Sequence, residues 1–565
     1  MNVAEAILSR GDDSAIAIFH HDSVLTYGEL RKEVRRVAYI LLTRGHKMGD
    51  RIGIFSENSP FFTIAYLGII VAGLVAVPFQ TELAEETFEQ IALEADVQEV
   101  LVSKRFLKRL RPWEEKAGIT LLSEEDLNGE GAGNGLECRV RSAECGVDAT
   151  SRVEGRRPAV GSHGTISGRR IGINYPPSTL NTQPELAALM FTSGSTGAPK
   201  GVMVSHRNIE CNTQDIISYL GLGPKDRAMV VLPFHYCFGL SLLHTHLMAG
   251  GSLVLNNDFR LYPEMMLREM QQRECTGLAG VPSTYQLLLR KSRFRQMEFP
   301  KLRWFQQAGG KLPNPCIQEI LSAFPKVPYF LMYGQTEATA RLSYLPPERL
   351  ADKLGSIGRG LPSTRLEVLK PDGTSVRPGS DEIGEIVAAG DNIALGYWKD
   401  PGETAKFFRN GRLYTGDLAR MDADGFIFIV ERERDLIKSG GNRVSAKEVE
   451  DVIAEIGDVV EVAVVGMAHE LLGEAIKAFV VLTPGSSGTP ALVAEHCRKH
   501  MPSFKAPDEI IFLSSMPHNG AGKIVKGKLK EMLARAVPAD TRCQKKDAPI
   551  QMKTSLLEAN EVELL

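Results

Sequence analysis

The stretch that decides the fold is Phe191-Thr192-Ser193-Gly194-Ser195-Thr196-Gly197-Ala198-Pro199-Lys200-Gly201. It combines hydroxyl groups, glycines and one lysine. It directly follows an apolar run, residues 186–190, which predicts a buried strand. Glycines let successive backbone N–H groups converge on one anion, and the hydroxyl and ammonium groups add donors and a positive charge. The stretch therefore predicts a strand followed by a loop that holds a polyphosphate.

The spacing of this loop differs from the Walker pattern, because no Gly-Lys-Ser/Thr closes a four-residue gap after a glycine. The alternative interpretation is a flexible Ser/Gly linker. Linkers seldom follow a buried strand directly, so the phosphate loop is the favoured interpretation.

Four further motifs follow the loop along the chain. They are Tyr333-Gly334-Gln335-Thr336-Glu337, Leu413-Tyr414-Thr415-Gly416-Asp417, the run from Arg432 to Gly441, and Asn519-Gly520-Ala521-Gly522-Lys523. Together with the loop they resemble, in order, the signatures of the AMP-forming acyl-CoA synthetases. That superfamily also includes the firefly-type luciferases and the adenylation domains of peptide synthetases. The resemblance extends over roughly residues 10 to 535.

Strand-like runs alternate with helical patterns along the first half of the chain, which indicates an α/β fold. The clearest strand runs are residues 51–55, 97–102, 229–232, 252–255 and 304–307, and apolar spacing predicts a helix over 24–44 with Thr26 as its cap. Short strands dominate residues 382–430. Beyond Arg432 a compact α/β unit is predicted, with helices at 445–456 and 490–500 and strands at 459–466 and 474–482.

The predicted domains are a large N-terminal adenylation domain, residues 1–431, and a mobile C-terminal α/β domain, residues 432–535. The N-terminal domain is expected to hold two α/β subdomains and a small β-rich subdomain. Residues 128–184 are rich in Gly, Ser, Arg and Asn and predict a long surface insertion. Residues 536–565 form a tail to which no role is assigned.

Composition excludes several classes of protein. The net charge of −3 offers no overall basic field for nucleic acid. The apolar stretch 61–79 is interrupted by Thr63, Gly68, Gly73 and Pro78, so it predicts a buried helix and a strand rather than a membrane span. No secretory signal is evident, and no two of the eight cysteines form a Cys-x-x-Cys pair, which suits a cytoplasmic protein without structural zinc. The oligomeric state stays open.

The resemblance implies which residues bind ATP and Mg²⁺. Glu337 would bind the metal, Thr336 the α-phosphate and Asp417 the two ribose hydroxyls. The alternatives are a surface carboxylate for Glu337 and an ordinary Gly-Asp turn for Asp417. The full nucleotide set is Thr192, Ser193, Gly194, Ser195, Thr196, Gly197, Lys200, Gly309, Gly310, Tyr333, Gly334, Thr336, Asp417 and Arg432.

The resemblance also implies a C-terminal domain that swings between two half-reactions. Lys523 would be the catalytic lysine, beside Thr336, Glu337 and His235 in the catalytic set. Arg434 would be the hinge. In the second pose Lys438, Gly440 and Gly441 would line the channel for a pantetheine thiol, which belongs to coenzyme A or to an acyl carrier protein.

The segment 233–240 bears on which carboxylic acid is activated. Amino-acid-activating relatives place an aspartate near the start of this pocket, whereas this segment has no acidic residue. Burying an ammonium group without a partner is costly, so a fatty or other acid without an α-amine is predicted. His235 is expected to gate the acyl site, with a packed core histidine as the alternative. The other predicted pocket residues are Phe238, Leu240, Val281, Thr284 and Tyr285.

The leading hypothesis is an acid–thiol ligase that forms an acyl-AMP, releases pyrophosphate and passes the acyl group to coenzyme A. A carrier-protein thiol is the alternative acceptor. A luciferase-type oxidoreductase and a non-catalytic acyl or nucleotide sensor are the other two classes considered. The intact set of Lys200, Glu337, Asp417 and Lys523 argues against the sensor.

Overall fold

The computed structural model describes residues 2–131, 186–193, 199–432, 436–440, 442–469, 471–483, 485–519 and 524–536. Most of the predicted insertion at 128–184 lies outside these ranges, as does the tail beyond residue 536. The same holds for Gly194, Ser195, Thr196 and Gly197 of the phosphate loop, and for Arg434, Gly441 and Lys523. What the sequence predicts for them stays a prediction.

The N-terminal part begins with helices that flank short strands. Its elements up to residue 131 are α1 (Val3–Leu8), β1 (Ile16–His20), β2 (Ser23–Thr26), α2 (Tyr27–Thr43), β3 (Arg51–Phe55), α3 (Pro60–Val71), β4 (Val75–Pro78), α4 (Glu85–Glu94), β5 (Glu99–Val102), α5 (Lys104–Ala117), β6 (Thr120–Ser123) and α6 (Glu124–Gly131).

The next stretch supplies most strands of the second sheet. Its elements are β7 (Leu186–Ser193), β8 (Pro199–Ser205), α7 (His206–Leu220), β9 (Arg227–Val230), α8 (Cys237–Met248), β10 (Ser252–Leu255), α9 (Pro263–Gln272), β11 (Gly277–Gly280), α10 (Pro282–Lys291), β12 (Trp304–Gln307), α11 (Asn314–Ala323), β13 (Tyr329–Tyr333) and β14 (Ser343–Leu345).

A β-rich segment and a smaller α/β unit complete the chain. They contain β15 (Thr364–Leu369), β16 (Gly384–Gly390), α12 (Pro401–Phe407), β17 (Phe408–Arg409), β18 (Arg412–Met421), β19 (Ile427–Arg432), β20 (Leu436–Ser439), β21 (Asn442–Ser445), α13 (Ala446–Ile453), β22 (Val459–His469), β23 (Gly473–Leu482), α14 (Pro490–His500), β24 (Glu509–Phe512) and α15 (Lys526–Ala536).

Within the described residues the strands form four sheets. The first has the order β6-β5-β3-β4-β7-β8 and is parallel except at β8. The second has the order β14-β13-β12-β11-β9-β10-β1-β2, with antiparallel strands only at its two edges. The third, β15 to β19, is antiparallel throughout. The fourth holds β20 to β24, so the predicted boundary near residue 431 falls between the last two sheets. The predicted α/β fold class is confirmed.

The first two sheets share one hydrophobic core, in which residues of β3 and β7 lie in the same buried cluster as residues of β9, β10 and β12. The helix α3 belongs to this core and is buried on nearly all sides. Its Gly68 leaves no room for a side chain, since an added Cβ would lie 2.8 Å from Val37 Cγ1 on α2. The continuous apolar character of 61–79 therefore reflects burial in protein. No helix among the described residues is long and apolar enough to cross a membrane.

One predicted boundary is wrong. The sequence predicted a helix over 24–44, but Val24 and Leu25 lie in β2, which pairs with β1 through the turn after His20. The helix begins after Thr26, whose hydroxyl accepts from the Glu29 backbone N–H while the Glu29 carboxylate accepts from the Thr26 N–H. The predicted cap is thus confirmed. The apolar spacing extends past it because Leu25 of β2 packs against the same core, whereas Val24 is 48% exposed.

Burial makes three histidines sensitive to acid. All twelve residues of α8 are buried, including His244 and His246, and His235 lies just before the helix. Because burial disfavours the charged form, it lowers the pKa to about 4 for His235, to about 3 for His244 and to about 4 for His246. All three are therefore neutral in the folded protein at neutral pH.

We expect the free energy of unfolding to fall as the pH drops from 6.5 towards 4, because the unfolded chain takes up protons there and the folded chain does not. Each histidine contributes a slope of about 1.4 kcal/mol per pH unit. Urea unfolding at pH 7.5, 6.5, 5.5 and 5.0 measures the total. In a His246→Gln variant, the free energy of unfolding should fall less steeply with pH, by the contribution of one histidine. A variant of the exposed His21 should keep the slope of the unmodified chain. A flat profile between pH 6.5 and 5.0 would contradict this assignment.

Candidate active site

A cleft of about 910 Å³ lies between the N-terminal sheets and the C-terminal unit. Its floor is formed where strands of the first two sheets end, namely the carboxyl ends of β7, β12 and β13. Parallel strands deliver the loops that follow them to one edge, and ligands of α/β proteins bind at that edge. The opposite wall comes from α13, β22 and the described residues Asn519, Ile524 and Lys526.

The two strands that flank the phosphate-loop glycines, β7 and β8, pair antiparallel and both reach the cleft. Thr192 of β7 pairs with Lys200 of β8, and both line the cleft. The Lys200 ammonium is paired with the carboxylate of Glu403, the third residue of α12. It also lies 5.5 Å from the ring centroid of Tyr397. The one positive charge of the motif is therefore held in the cleft wall by an anion and an aromatic ring.

The segment after β13 passes so close to the backbone of Ala340 that only glycine fits at position 334. An added Cβ at Gly334 would lie 1.9 Å from the carbonyl oxygen of Ala340, which no side chain could tolerate. The chain then forms a short 3-10 helix, Thr336–Ala338. There Thr336 donates to Cys237 Sγ at 3.4 Å, and Glu337 Oε1 accepts from the Tyr397 hydroxyl at 2.9 Å.

Asp417 lies within β18 and not in a turn, and its side chain is buried although it lines the cleft. The Tyr333 hydroxyl donates to its Oδ2 at 2.5 Å. The register of β18 and β19 sets Arg432 directly opposite Asp417. Tyr333, Asp417 and Arg432, which belong to three different motifs, therefore lie next to one another in the fold.

Gly309 and Gly310 follow β12, line the cleft and pack against the start of α10. Gly309 has φ of +84°, and an added Cβ would lie 3.0 Å from Val281 Cγ1. A larger residue at 309 would both strain the backbone and push this side chain aside. The glycine pair thus keeps the backbone close to the site that a ligand would occupy.

His235 lines the cleft although it is only 8% exposed. Its Nε2 atom is buried and has no hydrogen-bond partner among the described residues. Its lowered pKa keeps the ring neutral. His235 thus belongs to the cleft wall, and its role as a gate of the acyl site stays a prediction.

The predicted acyl-pocket residues other than His235 do not line the cleft. Tyr285 is fully buried, and its hydroxyl donates to the carbonyl oxygens of Leu278 and Gln306 at 3.1 and 2.7 Å. The Phe238 ring packs under the guanidinium of Arg341, 4.7 Å away. Leu240 lines a small internal cavity, Val281 packs beside Gly309, and Thr284 is buried.

The cleft wall in this region is instead formed by Tyr236, Cys237, Pro282, Ser283 and Gln286. The reason is helical periodicity. Pro282 is the first residue of α10, so Ser283 and Gln286 lie on the face towards the cleft while 284 and 285 face the core. The proline at the helix start and the i, i+3 spacing were the signals that could have identified them.

In the C-terminal unit, described residues beside one predicted functional segment line the cleft, and those of the other segment do not. Asn519 and Ile524, which flank the segment with Lys523, both line it. Lys438 is exposed, and neither it nor Gly440 lies in the cleft wall. A salt bridge between Lys311, after β12, and Asp451 of α13 joins the two parts of the chain.

Solved structures share this architecture. ATP-bound MatB from Rhodopseudomonas palustris is 27% identical, with a TM-score of 0.76 over 94% of this chain and 98% of that one. O-Succinylbenzoate CoA synthetase (MenE) from Bacillus subtilis, in complex with its acyl-adenylate intermediate, is 25% identical, with the same TM-score and the same coverage. The fold and the cleft define an adenylate-forming enzyme.

The chain belongs to the AMP-binding enzyme family, whose sequence profile matches residues 4–398; the profile of the family's C-terminal domain matches residues 448–523. A feruloyl-CoA synthase of an Amycolatopsis species is 30% identical over 92% of this chain and 96% of its own length. A long-chain-fatty-acid–CoA ligase of Salmonella typhimurium is 29% identical over 91% of each chain. The predicted family and the prediction of an AMP-forming acid–thiol ligase are confirmed.

Proposed function

We propose that this enzyme converts an aryl or aliphatic carboxylic acid without an α-amine into its acyl-CoA, by way of an acyl-AMP and with release of pyrophosphate. The observation that carries the choice of acid is the wall around His235. Its described members, Tyr236, Cys237, Pro282, Ser283 and Gln286, include no carboxylate.

The carboxylates that do line the cleft each have a described partner. Glu337 accepts from Tyr397, and Asp417 accepts from Tyr333. Among those from the C-terminal unit, Glu450 forms an ion pair with Lys526 and Asp451 with Lys311, and Glu461 is hydrogen-bonded to the His518 ring at 2.7 Å. The described wall around His235 thus offers no carboxylate to offset the desolvation of a substrate ammonium group, since Glu337 and Asp417 would be engaged with the metal and the ribose.

The nucleotide is expected to lie along the ends of β7, β13 and β18. Lys200 and the loop before it would hold the β- and γ-phosphates, Thr336 the α-phosphate and Asp417 the ribose hydroxyls. A carboxylate has enough acceptor positions to keep the Tyr333 hydrogen bond and still accept from two hydroxyls. Phosphoryl chemistry of this kind depends mainly on positioning and on neutralising charge.

Glu337 fits the predicted Mg²⁺ site. It is half-buried, lines the cleft and holds one oxygen on the Tyr397 hydroxyl, so its other oxygen is left to coordinate a cation. Mg²⁺ prefers carboxylate and phosphate oxygens. When bound, it would neutralise charge on the triphosphate.

Coenzyme A is the favoured acceptor, because the relatives are named CoA ligases and synthetases. An acyl carrier protein has no support from them. Lys438, which would line the thiol channel in the second pose, is exposed here. This position suits the first pose, in which acyl-AMP would form before the C-terminal domain rotates.

The first test concerns Tyr397, which the sequence motifs did not single out. Burial and the neighbouring Glu337 raise its pKa, so its hydroxyl stays a donor at neutral pH. Tyr397→Phe should keep the ring beside Lys200 and remove the hydrogen bond to Glu337. We expect the Mg²⁺ concentration for half-maximal pyrophosphate release to rise about tenfold, as for loss of a hydrogen bond to a charged group.

Glu337→Gln should raise the Mg²⁺ requirement further, and Tyr262→Phe, at an exposed tyrosine, should leave it unchanged. An unaltered Mg²⁺ titration in Glu337→Gln would remove this residue from the metal site.

The second test concerns Lys523. Its ammonium would stabilise negative charge that builds at the α-phosphate, so Lys523→Ala should slow acyl-AMP formation by at least ~10². Formation of acyl-CoA from supplied acyl-AMP should be much less affected. Lys528→Ala, at an exposed position of α15, is the matched control. Equal loss in both half-reactions would refute the assigned role.

The third test is a panel of carboxylic acids with ATP, with and without coenzyme A, measured by pyrophosphate release and product mass. Cinnamic, benzoic and fatty acids are the expected substrates, and α-amino acids should be disfavoured by up to ~10⁴, since a missing polar match can cost that much. Pyrophosphate release with amino acids alone would overturn the proposed substrate class. Binding without any pyrophosphate release would indicate a sensor.

A further inference from the structure

Three potential metal ligands meet on the C-terminal unit, outside the cleft. His496 and His500 are one helical turn apart on α14, and Glu455 follows the end of α13. One ligand atom from each lies within 4.8 Å of the other two. None of the three belongs to the motifs of the active site.

The contact between His496 and Glu455 has the spacing of two ligands of one ion. His496 Nε2 lies 3.6 Å from Glu455 Oε2, which is too long for a hydrogen bond. Two ligand atoms at about 2.1 Å from a tetrahedral ion are about 3.4 Å apart. This Nε2 is also buried and has no hydrogen-bond partner within the described ranges.

The tautomer of His500 follows from its other nitrogen. Nδ1 of His500 lies 2.8 Å from the carbonyl oxygen of His496. Since a carbonyl oxygen only accepts, Nδ1 carries a proton, and Nε2 is the nitrogen that is left to bind a metal in the neutral ring. Metal-ligating histidines are commonly oriented in this way by a carbonyl on the second nitrogen. The two rings lie face to face, with centroids 4.1 Å apart.

We propose that Glu455, His496 and His500 bind one divalent transition-metal ion of the Zn²⁺ type. Two imidazoles and one carboxylate suit Zn²⁺, Ni²⁺ or Cu²⁺, whereas Mg²⁺ prefers oxygen ligands alone. The exposed Glu455 and His500 leave further coordination positions to water. The site is therefore chemically distinct from the Mg²⁺ site proposed at Glu337.

The ion would add a link between α13 and α14, whose apolar residues already share one buried cluster. Glu455 follows α13, which also carries Asp451, the partner of Lys311 in the cleft, and Glu450, the partner of Lys526. Holding α13 against α14 would stabilise the helix that supports these contacts. Because the ion binds the folded arrangement, its binding free energy adds to the stability of the C-terminal unit.

Calorimetric titration of the untagged, chelator-treated full-length chain with Zn²⁺, in buffer with millimolar Mg²⁺, tests the site. We expect one equivalent to bind and the thermal unfolding temperature to rise. Glu455→Gln and His500→Ala should each weaken Zn²⁺ binding at least ~10-fold and abolish the rise. His469→Ala, which removes another exposed histidine of the same unit, should behave as the unmodified chain does.

No stoichiometric binding at 100 μM Zn²⁺ (about 100-fold above a micromolar Kd) would overturn the proposal, as would equal binding by Glu455→Gln and the unmodified chain. Because Glu455→Gln changes one exposed oxygen to an amide nitrogen, it tests the site even if His500→Ala folds poorly. Saturation by Mg²⁺ alone would also contradict the proposed ligand chemistry.

Discussion

The hydrogen bond from Tyr333 to Asp417 is the contact on which the site depends. It joins the end of a strand in the eight-stranded sheet to a strand of the antiparallel sheet, 84 residues further along the chain. Both side chains are buried, and a buried carboxylate without a partner would be strongly destabilising. The bond therefore fixes the third sheet against the second and leaves Asp417 facing the cleft. A second link, from Tyr397 to Glu337, connects the same two parts of the chain.

The cleft combines paired charges with one neutral, unpaired ring. Lys200 is held by Glu403, and the acidic residues of both walls have partners. The carboxylate of Glu403, on the first turn of α12, holds the Lys200 side chain in place. A polyanion that enters the cleft would compete with this single carboxylate for the lysine. Beside the neutral His235, the described wall residues Tyr236, Cys237, Ser283 and Gln286 carry no charged group. Charge separation of this kind suits a reaction between a polyphosphate and an otherwise uncharged acid.

Residues in the ordered motifs could be placed from sequence, because glycines, hydroxyls and single charges at fixed spacing have few other uses. Thr192, Lys200, Glu337 and Asp417 all line one cleft. Residues of the acyl pocket could not be placed in the same way. Apolar character alone does not distinguish the wall of a pocket from a hydrophobic core. Tyr285 lies in the core because α10 begins at Pro282, and this start places residue 285 on the buried face of the helix.

The sequence by itself determined the α/β class, the order of the motifs, the cap at Thr26 and the chemistry that the cleft can support. These features are local, since each depends on residues within one helical turn, one strand or one loop. Only the tertiary structure decided that Tyr397 contacts Glu337 and Glu403 contacts Lys200, that Ser283 and Gln286 rather than Tyr285 line the cleft, and that two histidines meet a glutamate on the C-terminal unit. Each of these contacts joins separate elements of the chain, so it arises from packing, which no local pattern encodes.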